Sequence, residues 1–253
     1  MARGVTELAA VTVVVVNYRT LELTRRCVET LHDHYSDLPL VLIDNGSDDE
    51  STEYVRELGQ TQQNVRAQLN EGNRYHGPAL DQGVRLAEAR YVLTLDSDCE
   101  VVRGGFLEEM LREFQRPETY AVGELRYKNR FGYTYGYGYD EGAAQPERRG
   151  RIPYIHPYAM LLDRDKYLRL RPFIHHGAPC IRNMQDARRK GYTVVDFPVG
   201  DYVLHRMQGT SVAYGYGALG GVRRRLEYYL NRLDVLVTRD PTLPVRPPRH
   251  DDD

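Results

Sequence analysis

Tyr91-Val92-Leu93-Thr94-Leu95-Asp96-Ser97-Asp98-Cys99 is an apolar run that ends in two carboxylates. Its first five residues predict a buried strand, because a strand covered on both faces reads as a near-continuous apolar run. Asp96 and Asp98 then sit where that strand ends. In an open α/β sheet the carboxyl ends of the strands form the ligand crevice. Two acids so close at a strand tip repel each other, and a divalent cation would hold them together. Oxygen ligands suit Mg2+ or Mn2+. The plainer alternative is an acidic turn after a strand, and the rest of the chain decides between them.

Upstream, the same order of strand, turn and helix repeats. Val11 to Val16 is apolar and β-branched, the pattern of a central parallel strand, and it leaves through Asn17-Tyr18-Arg19-Thr20. Thr20 predicts an N-cap for a helix to about Tyr35, with Leu21, Cys27, Val28 and Leu31 on one face. Pro39 to Ile43 is a second strand, followed by Asp44-Asn45-Gly46-Ser47-Asp48-Asp49. Asp49 or Ser51 caps a helix to about Leu58. Val65 to Leu69 is a third strand, and Asn70-Glu71-Gly72-Asn73 is a turn cluster. Pro78 opens a helix to Ala89. Such alternation with short links predicts a doubly wound, mostly parallel sheet.

Downstream the pattern loosens. A helix is predicted over 104–115, strands over 120–127 and 155–162, and a helical turn over 165–170. Pro179 opens a helix to Lys190 that Gly191 closes. Strands follow over 192–197 and 202–204, the second leading to His205. Residues 128 to 151 are rich in Gly, Tyr and Arg without a clear period, which predicts a long loop or hairpin. Residues 218 to 238 place Leu219, Val222, Leu226, Tyr229, Leu230 and Leu233 at helical spacing. That stripe either closes the core or forms a dimer contact, and the basic run Arg223-Arg224-Arg225 beside it suits an anionic surface. The proline-rich tail from Pro241 reads as flexible.

The chain has 253 residues, enough for one sizeable core, and a net charge of −2, which gives no electrostatic case for nucleic acid. Three scattered cysteines make neither a disulfide framework nor a zinc knuckle and fit reduced thiols in a cytoplasm. The N-terminus is not read as a signal peptide. No apolar run reaches the ~20 residues of a membrane helix. There are 20 tyrosines and no tryptophan.

Four blocks in order, each at a strand end, resemble the family 2 glycosyltransferases of GT-A fold. They are Val-Val-Val-Val-Asn-Tyr-Arg (13–19), Val-Leu-Ile-Asp-Asn-Gly-Ser-Asp-Asp (41–49), Asn-Glu-Gly-Asn-Arg (70–74) and Leu-Thr-Leu-Asp-Ser-Asp (93–98). Arg-Arg-Lys-Gly-Tyr-Thr-Val (188–194), His205 and Gly209-Thr210-Ser211 match the family's closing segment. The resemblance implies an α/β, Rossmann-like, mostly parallel central sheet flanked by helices, with a smaller acceptor-side β region and a C-terminal helix. It implies one catalytic domain over 1–240, with a nucleotide-sugar half to about 125, an acceptor half to 212, a lid and last helix beyond, and a tail over 241–253. By resemblance, Asn17, Tyr18 and Arg19 shape the floor of the nucleotide pocket, and Asp44 and Asn45 meet the base. Asn70 and Arg74 lie near the nucleotide, Asp96 and Ser97 face the ribose or the cation's water shell, and Asp98 and His205 ligate Mn2+ or Mg2+. The implied reaction is inverting transfer of a sugar from a nucleotide diphosphate sugar, UDP by default, to a hydroxyl acceptor. Tyrosines 127 to 139, Tyr154 and His156 face that acceptor, and Tyr214-Gly215-Tyr216-Gly217 forms a lid.

The family carries a Glu-Asp pair, one of them the catalytic base, at the start of the helix that ends in Gly-Tyr. Counting back from Gly191-Tyr192 reaches Ala178-Pro179-Cys180, where no acid stands. The nearest proton acceptors are His175, His176 and Asp186. His176 or Asp186 is the expected base, although Asp186 also reads as a residue ion-paired within its helix. Two other classes remain. A nucleotidyltransferase of related fold needs a Gly-rich basic loop after the first strand, which Asn17-Tyr18-Arg19-Thr20 does not supply. A catalytically inert sugar-nucleotide-binding protein would explain the missing acids.

Overall fold

The computed structural model describes residues 8–128, 152–206, 222–237 and 245–246. The sequence predicted to alternate strand and helix does so. Strands β1 (Val11–Asn17), β2 (Leu40–Asp44), β3 (Val65–Leu69) and β4 (Tyr91–Asp96) are parallel, with β1 between β2 and β4. They are joined by α1 (Leu21–His34), α2 (Glu50–Thr61) and α3 (His76–Leu86). Successive side chains of β1 serve opposite faces, as the two-residue period of a strand requires. Val11, Val13 and Val15 pack in one cluster with Cys27, Val28 and Leu31 of α1 and Val55 of α2. Val14 and Val16 pack in the other with Ala79, Leu80 and Val84 of α3. The sheet is therefore wound on both faces. Asp49 caps α2 by accepting from Ser51 N, while Thr20 stands at the N-cap of α1 without a side-chain cap.

Beyond β4 the topology is mixed. Strand β5 (Cys99–Val101) leaves the main sheet and pairs antiparallel with β9 (Val203–His205). After α4 (Phe106–Arg112), β6 (Thr119–Lys128) and β7 (Ile152–Asp163) form an antiparallel pair, and β7 also runs antiparallel to β4. Helices α5 (Arg164–Tyr167) and α6 (Ile181–Arg189) lead to β8 (Thr193–Asp196), parallel to β6. The main sheet runs β10-β8-β6-β7-β4-β1-β2-β3. Its edge strand β10 (Val245–Arg246) lies in the tail that was expected to be flexible.

The β6–β7 ladder is interrupted. Gly123 pairs with Met160, yet Leu125 pairs with Ile155, so His156-Pro157-Tyr158-Ala159 bulges out of β7. Bulges re-aim side chains, and this one turns His156 and Tyr158 toward the strand-end crevice.

Helix α7 (Val222–Val237) corrects one expectation. Leu226, Tyr229, Leu230 and Leu233 do not close the core, since each is more than half exposed. The helix is held by its other side. Asn231 Nδ2 donates to the His175 carbonyl, Asp234 pairs with Arg182, and Tyr228 lies against His175 and His176. Periodicity revealed an apolar face but not which way it points. The Gly/Tyr-rich segment 129–151, the Gly209-Thr210-Ser211 turn, the Tyr214–Gly217 lid and the rest of the tail lie outside the described residues.

Candidate active site

The parallel register lines up the predicted residues. Asn17 pairs with Asp44, Asp44 with Leu69, and Val16 with Asp96, so the loops that leave these strands share one edge of the sheet. Asn17 is fully buried and spends its whole amide there. Its Nδ2 donates to Asp44 Oδ1 at 2.8 Å and to Ser47 Oγ at 3.1 Å. Its Oδ1 accepts from Thr20 N, Thr20 Oγ1 and Thr24 Oγ1. Thr20 Oγ1 in turn lies 3.2 Å from Ser97 Oγ, between the two acids of the β4 tip. Asn17 thus ties the β1, β2 and β4 loops together and has no capacity left for a nucleotide. Asp44 is similarly engaged. It also accepts from Ser47 N at 3.2 Å, from Thr52 Oγ1 at 2.9 Å and from Ser47 Oγ. Arg19, exposed and left-handed at φ 57°, joins by donating its N and Nε to Ser47, with its guanidinium over the Tyr18 ring.

A second amide network clamps the β3 loop on the β2 loop. Asn45 Oδ1 accepts from Asn70 Nδ2 and from Arg74 N, both at 3.1 Å, and Asn70 exchanges two hydrogen bonds with Gln82 of α3. The Arg74 side chain is exposed. The clamp depends on Gly46, which has φ 78° and stands where a Cβ would lie 2.4 Å from Gly72 Cα. Gly46→Ala should therefore lose about 1–3 kcal/mol of stability from the left-handed backbone alone. It should also force the two loops apart. A urea melt together with nucleoside diphosphate titration checks this, and an unchanged melt and affinity would refute the clamp. Beside it opens a cleft of about 650 Å³, lined in part by Asp44, Thr52, Asn70 and Glu71.

The β4 tip gathers histidines. The β5–β9 register sets Cys99 opposite His205, and His205 Nε2 comes to 3.3 Å from Asp98 Oδ1. His76, first residue of α3, brings Nε2 to 3.3 Å from Asp96 Oδ1. The bulged Tyr158 stacks on His205 with ring centroids 4.7 Å apart, and His156 lies 6.1 Å from the same ring. Arg126 of β6 sits over Tyr158 and pairs with Glu124. Burial disfavours the charged forms of His76 and His205, yet the Asp96 and Asp98 carboxylates beside them raise both pKa values above the ordinary 6.5. Burial would raise the Asp96 pKa, but His76 above all, with His205 and His156, holds it down to about 2. His156 is driven the other way by burial and by Arg126 and is neutral.

The tip fits a divalent cation. Asp98, Cys99 and His205 offer ligand atoms within 4.8 Å of one another. The Cys99 thiol, however, is fully buried, points to the Tyr158 carbonyl, and has its pKa pushed well up by burial. That leaves Asp98 and His205, a carboxylate and an imidazole suited to Mn2+ or Mg2+. His205 Nδ1 is buried without a hydrogen-bond partner, the condition that a bound ion or ligand relieves, while Asp96 Oδ1 faces His76 Nε2.

The two residues expected to act as base are both hydrogen-bonded to backbone. His176 is buried, and its Nδ1 accepts from Ala178 N at 2.9 Å. The neutral ring then carries its proton on Nε2 and has no lone pair to offer. Asp186 Oδ2 accepts from Arg171 N at 3.1 Å, while Asn183 Nδ2 donates to the Arg171 carbonyl, so the two clamp that turn. The sequence reading passed over His76 entirely. Its signal was a histidine at the head of a helix that follows a nucleotide-side loop.

The sequence pattern of the family described as Glycosyl transferase family 2 matches residues 12–183. A curated relative, "Glycosyltransferase GlyG" of Streptococcus pneumoniae serotype 4, is 27% identical over 113 residues, covering 44% of this chain and 37% of that protein. Among solved structures, mannosyltransferase PcManGT from Pyrobaculum calidifontis, in complex with GDP-Man and Mn2+, aligns with a TM-score of 0.58. Identity is 17%, over 75% of this chain and 55% of that one. TarS 1-349 of S. aureus, in complex with UDP-GlcNAc, aligns at 0.51 with 14% identity, over 70% and 53%. This chain therefore spans about half or less of the length of these relatives. The structural likenesses show a shared GT-A fold. No described helix is long and apolar enough to cross a membrane.

Proposed function

The chain belongs to glycosyl transferase family 2, and from that premise we propose that it moves a sugar, a hexose by expectation, from a nucleoside diphosphate sugar to a hydroxyl acceptor with inversion. The observation that carries this reading is the β4 tip, where Asp98 and His205 meet beside Asp96 and the buried His205 Nδ1 has no hydrogen-bond partner. A divalent cation held there, Mn2+ or Mg2+, would supply electrostatic stabilisation of the departing diphosphate. The chain's own contributions are positional. Asn17 fixes the loops that carry Asp44, Ser47 and Ser97, and the Asn45–Asn70–Gln82 clamp fixes the rim of the cleft in which a base would lie. Asp44 would receive a base donor by sharing an oxygen already hydrogen-bonded within the loop. Uridine was the default nucleoside, and three buried free cysteines accord with a reducing, cytoplasmic setting.

Incubation with a panel of UDP-, GDP- and dTDP-sugars and Mn2+ or Mg2+, following nucleoside diphosphate release with and without hydroxyl acceptors, tests the reading. Cation-dependent release of one nucleoside diphosphate is the expected result. Tight binding without turnover of any donor would replace this reading with the inert binding protein.

A further inference from the structure

Helix α7 turns its polar side inward. A surface helix ordinarily lays its apolar stripe on the core. Here Asn231 donates to the His175 carbonyl, Asp234 pairs with Arg182, and Tyr228 lies against His175 and His176. At ~100° per residue these three positions fall opposite Leu226, Tyr229, Leu230, Leu233 and Val237, which span about 100° of arc. All five are more than half exposed, Val237 at 83%. A contiguous apolar stripe held outward is an interaction surface.

Charge decides what covers it. The helix carries Arg223, Arg224, Arg225 and Arg232 against Glu227 and Asp234, and Asp234 is spent on Arg182. This cationic excess is local, because the whole chain has a net charge of −2. Positions 225 and 232 fall along one flank of the stripe and position 223 along the other. A second copy of α7 laid on the stripe would bring the same excess with it, and only Glu227 would be left to oppose it. One helix face about 24 Å long is also small beside the ~800 Å² that each partner buries in a stable dimer. An anionic bilayer answers both features: the acyl boundary takes the leucines, and the lipid phosphates take the arginines. Tyr229, apolar with a polar tip, suits that boundary. The helix is not long and apolar enough to cross the bilayer, so it would lie in the surface plane.

We infer that α7 docks this protein on an anionic lipid surface through the stripe from Leu226 to Val237. The test is sedimentation of the whole chain with vesicles of phosphatidylcholine, alone or with phosphatidylglycerol as about a third of the lipid. Binding to the anionic vesicles is expected, with little to the neutral ones. Raising salt from about 0.1 M to about 1 M shortens the screening length from ~10 Å to ~3 Å and should weaken it. The triple variant Arg223→Gln, Arg224→Gln, Arg225→Gln should bind the anionic vesicles about 10²-fold more weakly, at about fivefold per arginine. The double variant Leu230→Glu, Leu233→Glu should lose binding by about 10²-fold or more. Its urea melt should match wild type, because both leucines are exposed. Wild-type protein that ignores anionic vesicles overturns the inference, as does equal binding to both vesicle types or unchanged binding by the double variant. A lipid-free dimer, seen by sedimentation velocity and abolished in the double variant, would overturn it in favour of a second copy on the stripe.

Discussion

Asp98→Ala is expected to remove cation-dependent turnover, by about 10²–10³-fold or more, while leaving the unfolding free energy from urea melts within about 1 kcal/mol of wild type. The two halves of this result have separate causes. Asp98 is 6% exposed and lies at a strand end with Asp96 close by in sequence and His205 3.3 Å away. Its removal deletes a favourable contact with His205 and an unfavourable one with the Asp96 charge, and the two nearly offset. The backbone carbonyl of Asp98 still accepts from Arg206 N, so the β5–β9 ladder keeps its anchor. Catalysis has no such compensation. Charge that develops on a departing diphosphate is stabilised only by what is already in place to meet it, and in the proposed reaction this carboxylate would hold the cation that does so. His205→Ala should show the same direction with some added loss of stability, because its ring also packs on Tyr158. Nucleoside diphosphate release against Mn2+ concentration is the measurement. An Asp98→Ala protein with wild-type turnover and an unshifted Mn2+ dependence would remove the cation from the mechanism.

The alignment of these strand ends was legible in the sequence because its information is local. Val11 to Val16, Pro39 to Ile43 and Tyr91 to Leu95 are apolar runs that each end in Asn or Asp, and parallel pairing brings such ends together without further specification. What the sequence did not show depends on contacts between distant segments. His205 was set beside Asp98 by the family resemblance alone, and what brings it there is the register of β9 on β5, a ladder of three pairs with no pattern of its own. His156 and Tyr158 point into the crevice because β7 bulges between Ile155 and Met160, and no local signal marks that change. Asn17 was read as pocket floor by resemblance, and the positions of Thr20, Thr24, Asp44 and Ser47 reveal that its amide is fully used. His176 and Asp186 were chosen by their distance along the chain from Gly191-Tyr192. Each proved to be bonded to backbone beside it, an outcome that spacing alone cannot foresee.

Asn17→Asp gives the sharpest test of that buried hub, since it changes one amide nitrogen to oxygen and nothing in shape. The Asn17 amide nitrogen now donates to Asp44 Oδ1 at 2.8 Å in a site where Asp44 is 1% exposed. An aspartate there would set a second carboxylate against the first. Two buried carboxylates at that distance do not both ionise, so one titrates with a strongly raised pKa. A raise of about 2–3 units corresponds to about 3–4 kcal/mol lost at pH 8, from 1.36 kcal/mol per unit. The sign follows from linkage. A carboxyl whose folded pKa lies above its unfolded value of about 4 destabilises the folded state most at high pH, and the penalty fades as pH falls through the folded pKa. The stability gap between wild type and Asn17→Asp should therefore narrow from pH 8 toward pH 5. Asn17→Ala should be destabilised by a comparable amount, because it leaves Asp44, Ser47 and the Thr20–Thr24 hydroxyls short of a partner. Its gap should stay nearly flat with pH, because it adds no titrating group. Urea unfolding of the three proteins at pH 5, 6.5 and 8 separates these outcomes. Parallel stability curves for the wild type and Asn17→Asp would mean that Asp44 does not rely on the Asn17 amide to remain buried.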